Sequence, residues 1–423
     1  MGNYLKIRNF GPVKDATVEL KPFLVFIGGQ GTGKSTIAKL LSIFQNKLWY
    51  MSILSEKNES SLEAFKKFGI QNYFNEDTCL EFMNEETHIV YDKKKFSLSY
   101  KGKSSPEELQ PVFSSWFEDS ARKFAEISQS DLLDIQKLTM SQNEAEKDNQ
   151  QPFQDQFKSY LQNYLEIQNR LNLIQSVFSN MGAKLYIPAE RNLMASFAGT
   201  WANMKVAGLP LQDKLLNYIS YFEKAKKEYP VYHIPSLGIT YKCEGNSEGL
   251  LINGTDRLLP LTECSSGVQS LLPMLMVLDY CIDKSIYGGY VIEEPEQNLF
   301  PDNQLYTLRY IIGKNNAKGS TCIITTHSPY LLSAINISLL AGKIAGYEKY
   351  KDEVGNILPE VYHLRPGTVA AYALGDEKEY CRDIMNVNTN TIDQNYLDTT
   401  SSIIGQEFGK LYKLYVKSLK DNH

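Results

Sequence analysis

Eight residues near the N-terminus, Gly28-Gly29-Gln30-Gly31-Thr32-Gly33-Lys34-Ser35, satisfy the spacing G-x-x-x-x-G-K-[ST]. The residue types suit one chemistry, the holding of a nucleotide's phosphates. Glycines let the backbone curl until its N–H groups point inward at phosphate oxygens. Lys34 places a cation against the β- and γ-phosphates, the Ser35 hydroxyl is a ligand for Mg²⁺, and Thr36 closes the nucleotide-binding stretch. Such a loop works only between a buried strand and the N-terminus of a helix, whose dipole adds positive potential. Both flanks are present. Residues 23–27 form a continuous apolar run of the kind a fully buried strand shows, and Ile37, Leu40, Leu41 and Phe44 recur at helical spacing after the loop. Residues 4–7 and 16–20 carry short alternating patterns around Gly11-Pro12 and read as two further strands.

Three later segments also end an apolar run in reactive groups. Tyr290-Val291-Ile292-Glu293-Glu294 is a strand closing on two carboxylates, followed by Pro295-Glu296-Gln297-Asn298-Leu299. Adjacent acids at a strand end are, in isolation, as well explained by a solvated turn. Ile323-Ile324-Thr325-Thr326-His327-Ser328-Pro329 is a strand ending in a histidine. A lone histidine is more often structural, but this one sits where open α/β sheets place their ligands. Ser266, Gly267 and Gln269 precede a helical pattern through Leu272, Leu275, Leu278 and Asp279, which taken alone is a serine N-cap opening a core helix.

Their order gives these segments a joint meaning. Phosphate loop, Ser-Gly loop, paired acids and histidine stand as the P-loop, signature, Walker B with D-loop, and switch histidine stand in ABC-type ATPases, which the chain resembles. The resemblance implies that Glu293, in place of the usual Asp, holds Mg²⁺ and that Glu294 polarises the attacking water. It implies that His327 contacts the γ-phosphate and that water. Ser266, Gly267 and Gln269 match three of five signature positions, whereas Ser265 and Val268 depart from the leading leucine and the second glycine. In that family the signature completes the site of a second copy. The implied cofactors are ATP and Mg²⁺, and the implied assembly is a homodimer with ATP sandwiched in two composite sites, from which a higher homo-oligomer can be built.

The span between Ser35 and Ser266 points to a branch. Residues 87–100 read as a β-hairpin. Residues 111–180 read as helical, with Phe153, Phe157, Tyr160, Leu161, Tyr164, Leu165 and Leu171 marking an amphipathic stripe too short for an extended coiled coil. Leu185-Tyr186-Ile187-Pro188-Ala189-Glu190-Arg191-Asn192 is similar to the Pro-Ala-Glu-Arg segment of OLD-like and RecF-like bacterial ATPases, with Arg191 either facing the nucleotide or held in a structural salt bridge. The expected architecture is α/β: an ABC-type P-loop NTPase head of mixed, mainly parallel sheet with flanking helices, an antiparallel β subdomain and an inserted helical arm. Residues 1–52 and 185–345 would form the head, 53–184 the hairpin and arm, and 346–423 a C-terminal helical extension. The chain resembles stand-alone prokaryotic ATPases with RecF/SMC-like heads, members of which serve anti-phage defence beside a separate nuclease, as in PARIS and Septu. After His327 no acidic cluster of the kind found in the Toprim domain of OLD nucleases appears, only scattered acids and an amphipathic pattern through Ile404, Phe408, Leu411, Tyr415 and Leu419.

Composition sets the outer bounds. The chain has 423 residues, 43% hydrophobic and 22% charged, enough for a large core. No run approaches the roughly 20 apolar residues of a membrane span, and residues 1–9 lack a signal-peptide pattern, so a cytoplasmic protein without membrane contact is expected. Six scattered cysteines suit reduced core thiols. Two function classes follow: an ATP-driven sensor or scaffold that controls a separate effector, of nuclease type, and a RecF/SMC-like repair ATPase that engages DNA directly. Net charge is −5, and residues 118–158 hold nine acids against five bases, interspersed with aromatic residues such as Phe124, a surface that suits protein better than phosphate. Lys93-Lys94-Lys95, flanked by Tyr91 and Phe96, is the best nucleic-acid candidate, with a solvated hairpin turn as its plainer reading.

Overall fold

Strands whose two faces are both apolar must lie between two covering layers, and the residues after Pro22 meet that condition. The computed structural model describes residues 2–54, 58–85, 87–100, 183–196, 213–244, 247–252, 257–393 and 406–414. The helical arm expected over 111–180 lies outside the described residues, as do Ile404, Tyr415 and Leu419 of the expected final helix.

In chain order, β1 (Tyr4–Phe10), β2 (Val13–Glu19) and β3 (Phe23–Gly28) lead into α1 (Lys34–Phe44), α2 (Lys47–Leu54) and α3 (Asn58–Lys67). Next come β4 (Cys79–Met83), β5 (Thr87–Asp92), β6 (Lys95–Tyr100), β7 (Lys184–Ile187) and α4 (Asp213–Glu228). A small sheet of β8 (Val231–Ile234), β9 (Ile239–Glu244), β10 (Ser247–Ile252) and β11 (Leu258–Leu259) precedes α5 (Ser266–Asp283). Further along are β12 (Gly289–Glu293), α6 (Pro301–Lys318), β13 (Thr321–Thr326), α7 (Pro329–Ile344), α8 (Lys351–Ile357), β14 (Val369–Leu374) and β15 (Cys381–Asp383), then β16 (Met385–Asn386) and β17 (Thr391–Ile392), which pair with each other.

The central sheet has the order β15-β14-β3-β13-β12-β7, parallel except for β15. Alternate residues of its strands feed two cores. Phe23, Val25, Ile27, Ile292 and Ile324 face the core shared with α4 to α7, while Leu24, Phe26, Val291 and Ile323 face the one shared with α1 and the antiparallel sheet β2-β1-β4-β5-β6. The hairpin expected over 87–100 is β5 and β6. They are joined by Lys93 and Lys94 with φ of 48° and 66°, the mirror-image turn whose twist matches paired strands. It belongs to one sheet with β1 and β2, so the expected division after residue 52 cuts through an antiparallel subdomain.

The expected helical extension over 346–423 is corrected. Its described part contains β14, which pairs in parallel with β3, and β15 at the sheet edge, so residues beyond 345 complete the central sheet. The run Val-Ala-Ala-Tyr-Ala-Leu is buried at every position, and a short run apolar on both faces has no period by which strand and helix differ.

Two helix glycines give a paired test of this packing. Gly342, inside α7, lies against the backbone carbonyl of Leu364, where the chain crosses toward β14, so an added Cβ would overlap that carbonyl. Gly313, inside α6, leaves room: a Cβ there would sit 3.4 Å from the Tyr362 ring and 3.5 Å from Val361. Glycine to alanine gains about 1 kcal/mol of helix propensity, while overpacking costs about 1–3 kcal/mol. Gly342→Ala is therefore expected to lower, and Gly313→Ala to hold or raise, the midpoint of thermal unfolding. Equal shifts in the two variants would contradict the crossing at Leu364.

Candidate active site

Parallel strands open their carboxyl ends on one edge of a sheet, and register decides which residues meet there. Ile27 pairs with Thr326 and with Ala373, Gly28 with Leu374, and Glu293 with Thr325. Four segments therefore leave the sheet side by side: the phosphate loop, Glu293-Glu294, Thr326-His327 and Leu374-Gly375.

In the phosphate loop, Gly33 at φ 82° caps α1, and a Cβ on it would come 2.5 Å from a methyl of Val13. Gln30 is exposed, Thr36 is buried beneath the turn and Ser35 is half-buried at the helix start. Thr32 Oγ1 donates to the Gly29 carbonyl at 2.8 Å. Lys34 is buried, and its Nζ donates to the carbonyls of Gly28 and Gly29, both at 2.8 Å. Burial pushes its pKa below the ordinary value, and the fields of Glu294, Glu296 and Glu293 work in the opposite direction. All three carboxylates thus act on the lysine ammonium.

Glu293 is 3% exposed. Its Oε2 accepts from the Ala189 N–H at 3.3 Å, and its Oε1 is buried and makes no hydrogen bond. The buried Tyr186 hydroxyl acts on the same carboxylate, and a carboxylate oxygen that still makes no hydrogen bond, with the Ser35 hydroxyl at the start of α1, is of the donor type that suits Mg²⁺. Glu294 has φ 44°, a region that costs a side-chain-bearing residue about 1–3 kcal/mol, and it is held there from several directions. Its N–H donates to the Thr325 carbonyl at 2.9 Å, and its carbonyl accepts from Gln297 N–H at 2.9 Å and from Arg191. The bent backbone carries its side chain to His327, whose Nε2 lies 3.1 Å from Glu294 Oε1. Both side chains remain about one-third exposed, open to a substrate.

Arg191 takes neither of its two expected roles. It is fully buried, and its guanidinium donates to the backbone carbonyls of Glu293 at 2.6 Å, Glu294 at 2.5 Å and Pro188 at 3.2 Å. Burial lowers its pKa, offset by Tyr218, Glu296, Glu294 and Glu293. It fixes the backbone on which the paired acids stand.

The signature candidates divide. Ser266 is exposed at the start of α5. Gly267 is buried under the loop after the paired acids, where a Cβ would come 2.7 Å from the Asn298 carbonyl. Gln269 donates its amide to the carbonyls of Thr262 at 3.2 Å and Cys264 at 2.9 Å, bracing the turn ahead of the helix. Of the three, Ser266 is the one presented outward.

Two residues at this edge escaped the sequence reading. Glu296 accepts from the Thr326 hydroxyl at 2.6 Å and the His327 N–H at 2.8 Å, and its only sequence signal was a third acid in the Glu-Glu-Pro-Glu run. The Tyr380 hydroxyl lies 2.5 Å from the Pro12 carbonyl and 3.0 Å from that of Thr32, tying the β14–β15 connection to the phosphate loop, with no motif to announce it.

Arg191 yields a stability test. Replacing it with methionine keeps bulk but takes the guanidinium donor from the buried Glu293 carbonyl and leaves the Glu294 carbonyl with the Gln297 N–H alone, at about 1–3 kcal/mol for a buried group that loses its partner. Arg191→Met is expected to lower the unfolding free energy by about 3 kcal/mol, read by denaturant melts. Arg191→Lys should fall short of rescue, because one ammonium lacks the planar fork that serves three carbonyls. A methionine variant as stable as the parent would contradict this role.

Among the described residues no helix is long and apolar enough to cross a membrane. No curated protein matches the chain. It is similar to solved Smc heads. One is bound to the C-winged helix domain of ScpA (12% identity over 90% of this chain and 96% of that one, TM-score 0.36). A second, with an extended coiled coil and bound to the C-terminal domain of ScpA, derives from Pyrococcus furiosus (13%, 78% and 90%, TM-score 0.35). A third is the SMC head domain from Thermotoga maritima (12%, 79% and 92%, TM-score 0.35). The family rests instead on the sequence, because the AAA ATPase domain model, AAA_15, matches residues 1–332. With its phosphate loop, parallel sheet and paired acids at one edge, this chain is a P-loop NTPase fold and belongs to the AAA ATPase domain family.

Proposed function

We propose that the chain is an ABC-type, SMC/RecF-like ATPase that binds ATP with Mg²⁺ and hydrolyses it to ADP and phosphate. The observation that carries this reading is the 3.1 Å contact of His327 Nε2 with Glu294 Oε1, on the sheet edge that also holds Lys34. Lys34 exchanges the carbonyls of Gly28 and Gly29 for β- and γ-phosphate oxygens, while the N–H groups of residues 29–36 surround the phosphates. Ser35 and Glu293 would hold Mg²⁺, which when bound would supply charge neutralisation at the phosphates. Glu294 accepts a proton from the water whose oxygen attacks the γ-phosphorus, as the bond to the β–γ bridging oxygen breaks and ADP leaves. His327 donates to the γ-phosphate and orients the Glu294 carboxylate.

Exposed Ser266 at a helix N-terminus is suited to the γ-phosphate of a second copy, which makes the active form a homodimer with two composite sites. In the fuller reading the dimer is the nucleotide-dependent sensor or scaffold of a prokaryotic anti-phage defence complex, akin to the PARIS and Septu subunits, and it controls a separate effector of nuclease type. Two features of the sequence support this. The recognisable reactive groups all fall in one nucleotide site, and residues 118–158 are net acidic, which also disfavours a repair ATPase gripping DNA directly.

The test combines chemistry and assembly. Glu294→Gln is expected to bind ATP, to turn over about a hundredfold more slowly, and to accumulate an ATP-dependent dimer in light scattering. Adding Ser266→Glu, which sets a negative charge against the partner's nucleotide, should abolish the dimer and leave ATP binding in place. Gly267 is a poorer probe, since any side chain there strikes its own Asn298. Normal turnover in Glu294→Gln, or a dimer indifferent to Ser266→Glu, would contradict the proposal.

A further inference from the structure

We infer that Glu296 is a positioning residue of the hydrolytic site, fixing the switch histidine against Glu294 through two hydrogen bonds accepted by one carboxylate oxygen. The inference deepens the ATPase reading and rests on it for its kinetic readout. Glu296 follows Glu294 and Pro295, so its backbone leaves β12 just after the paired acids. Its side chain turns back across the sheet edge to the end of β13. There Oε1 accepts from Thr326 Oγ1 at 2.6 Å and from the His327 N–H at 2.8 Å. Bonds to an ionised acceptor are about twice as strong as neutral ones, and these grip consecutive residues, the second being the histidine.

Packing alone does not account for an acid here. Glu296 is 9% exposed, and its Oε2 is buried with no partner, an arrangement that an apolar side chain of similar size would avoid. What offsets the buried charge is the pair of cations at the site, since the field of Glu296 acts on both Lys34 and Arg191. The same carboxylate that sets the histidine backbone therefore also contributes to the field at the lysine of the phosphate loop. The Thr326 hydroxyl passes the constraint on by accepting from Ser328 N–H at 2.9 Å, while the Ser328 hydroxyl donates to Gln304 Oε1 at 2.6 Å and holds the far side of the same turn. Without the Glu296 acceptor the Thr326 hydroxyl and the His327 N–H lose their partner, which loosens the hold on the ring at its 3.1 Å contact with Glu294. A misplacement of about 1 Å at a reacting centre costs on the order of a hundredfold in rate.

The test uses the full chain and separates bulk from hydrogen bonding. Glu296→Met keeps length and volume but accepts no comparable bond. It is expected to lower kcat about thirtyfold or more, with equilibrium ATP affinity within about threefold of the parent. In Glu296→Gln the amide oxygen still accepts both bonds, and most of the rate should return. In a His327→Ala background, Glu296→Met should cost less than about threefold more, because the residue acts through the histidine. A readout without turnover is the ¹³C-imidazole resonance of His327, assigned by its loss in His327→Ala. It should move in Glu296→Met and stay in place in Glu296→Gln. If Glu296→Met does not fold, Thr326→Val, which removes one of the two donors, should move the resonance in the same direction. A parent chain that hydrolyses no ATP would sink the ATPase reading, and the resonance would still decide this inference. Full losses that add in the double variant, or a His327 resonance unmoved by the methionine variant, would overturn it.

Discussion

The register that pairs Ile27 with Thr326 and Ile292 with Ile324 is the constraint on which the rest of the structure depends. Side chains of a strand alternate between faces, so a slip of one residue would exchange the sets that fill the two cores and move each strand end by about 3.3 Å. Both consequences are forbidden together. Leu24 and Phe26 fit against α1 and the antiparallel sheet, and Val25 and Ile27 fit against the α5 side. Burial energy that fixes the register of β3, β12 and β13 thereby fixes where Lys34, Glu294 and His327 can meet.

Within that frame the site is arranged by charge. Three carboxylates, Glu293, Glu294 and Glu296, act on two buried cations, Lys34 and Arg191. Arg191 satisfies backbone carbonyls and stays out of the chemistry, whereas Lys34 holds carbonyls of a loop built to hold phosphates. Glu293 contributes a buried oxygen that makes no hydrogen bond, beside the buried Tyr186 hydroxyl. These features gather acidic and basic groups at one edge of the sheet, the arrangement from which the proposed binding of nucleotide and metal is argued.

Much of this was legible in the sequence because it is local. The phosphate loop is a fixed spacing between a buried run and a helical run, and the paired acids and His327 each close an apolar strand. What was not legible depends on contacts between distant segments. Glu296 looked like one more loop acid, and its role depends on a partner 31 residues away. Arg191 stood out as a candidate, but only burial against the Glu293 and Glu294 carbonyls distinguishes a backbone brace from a nucleotide ligand. β14 was missed because six consecutive buried residues leave no alternation to read, and its pairing partner β3 lies at the other end of the chain. Gln269, matched to a signature position, spends its amide on the turn before its own helix, which no spacing rule foresees.

The central claim is that residues 28–36 hold the phosphates of ATP, with Lys34 leaving its loop carbonyls to do so. The most direct measurement is the equilibrium affinity for ATP in the presence of Mg²⁺, in the parent chain and in Lys34→Ala, with thermal melts to show that both are folded. Lys34→Ala is expected to lose at least about tenfold in affinity, since it removes a buried, charge-assisted contact. Equal affinity in the two folded proteins would contradict it.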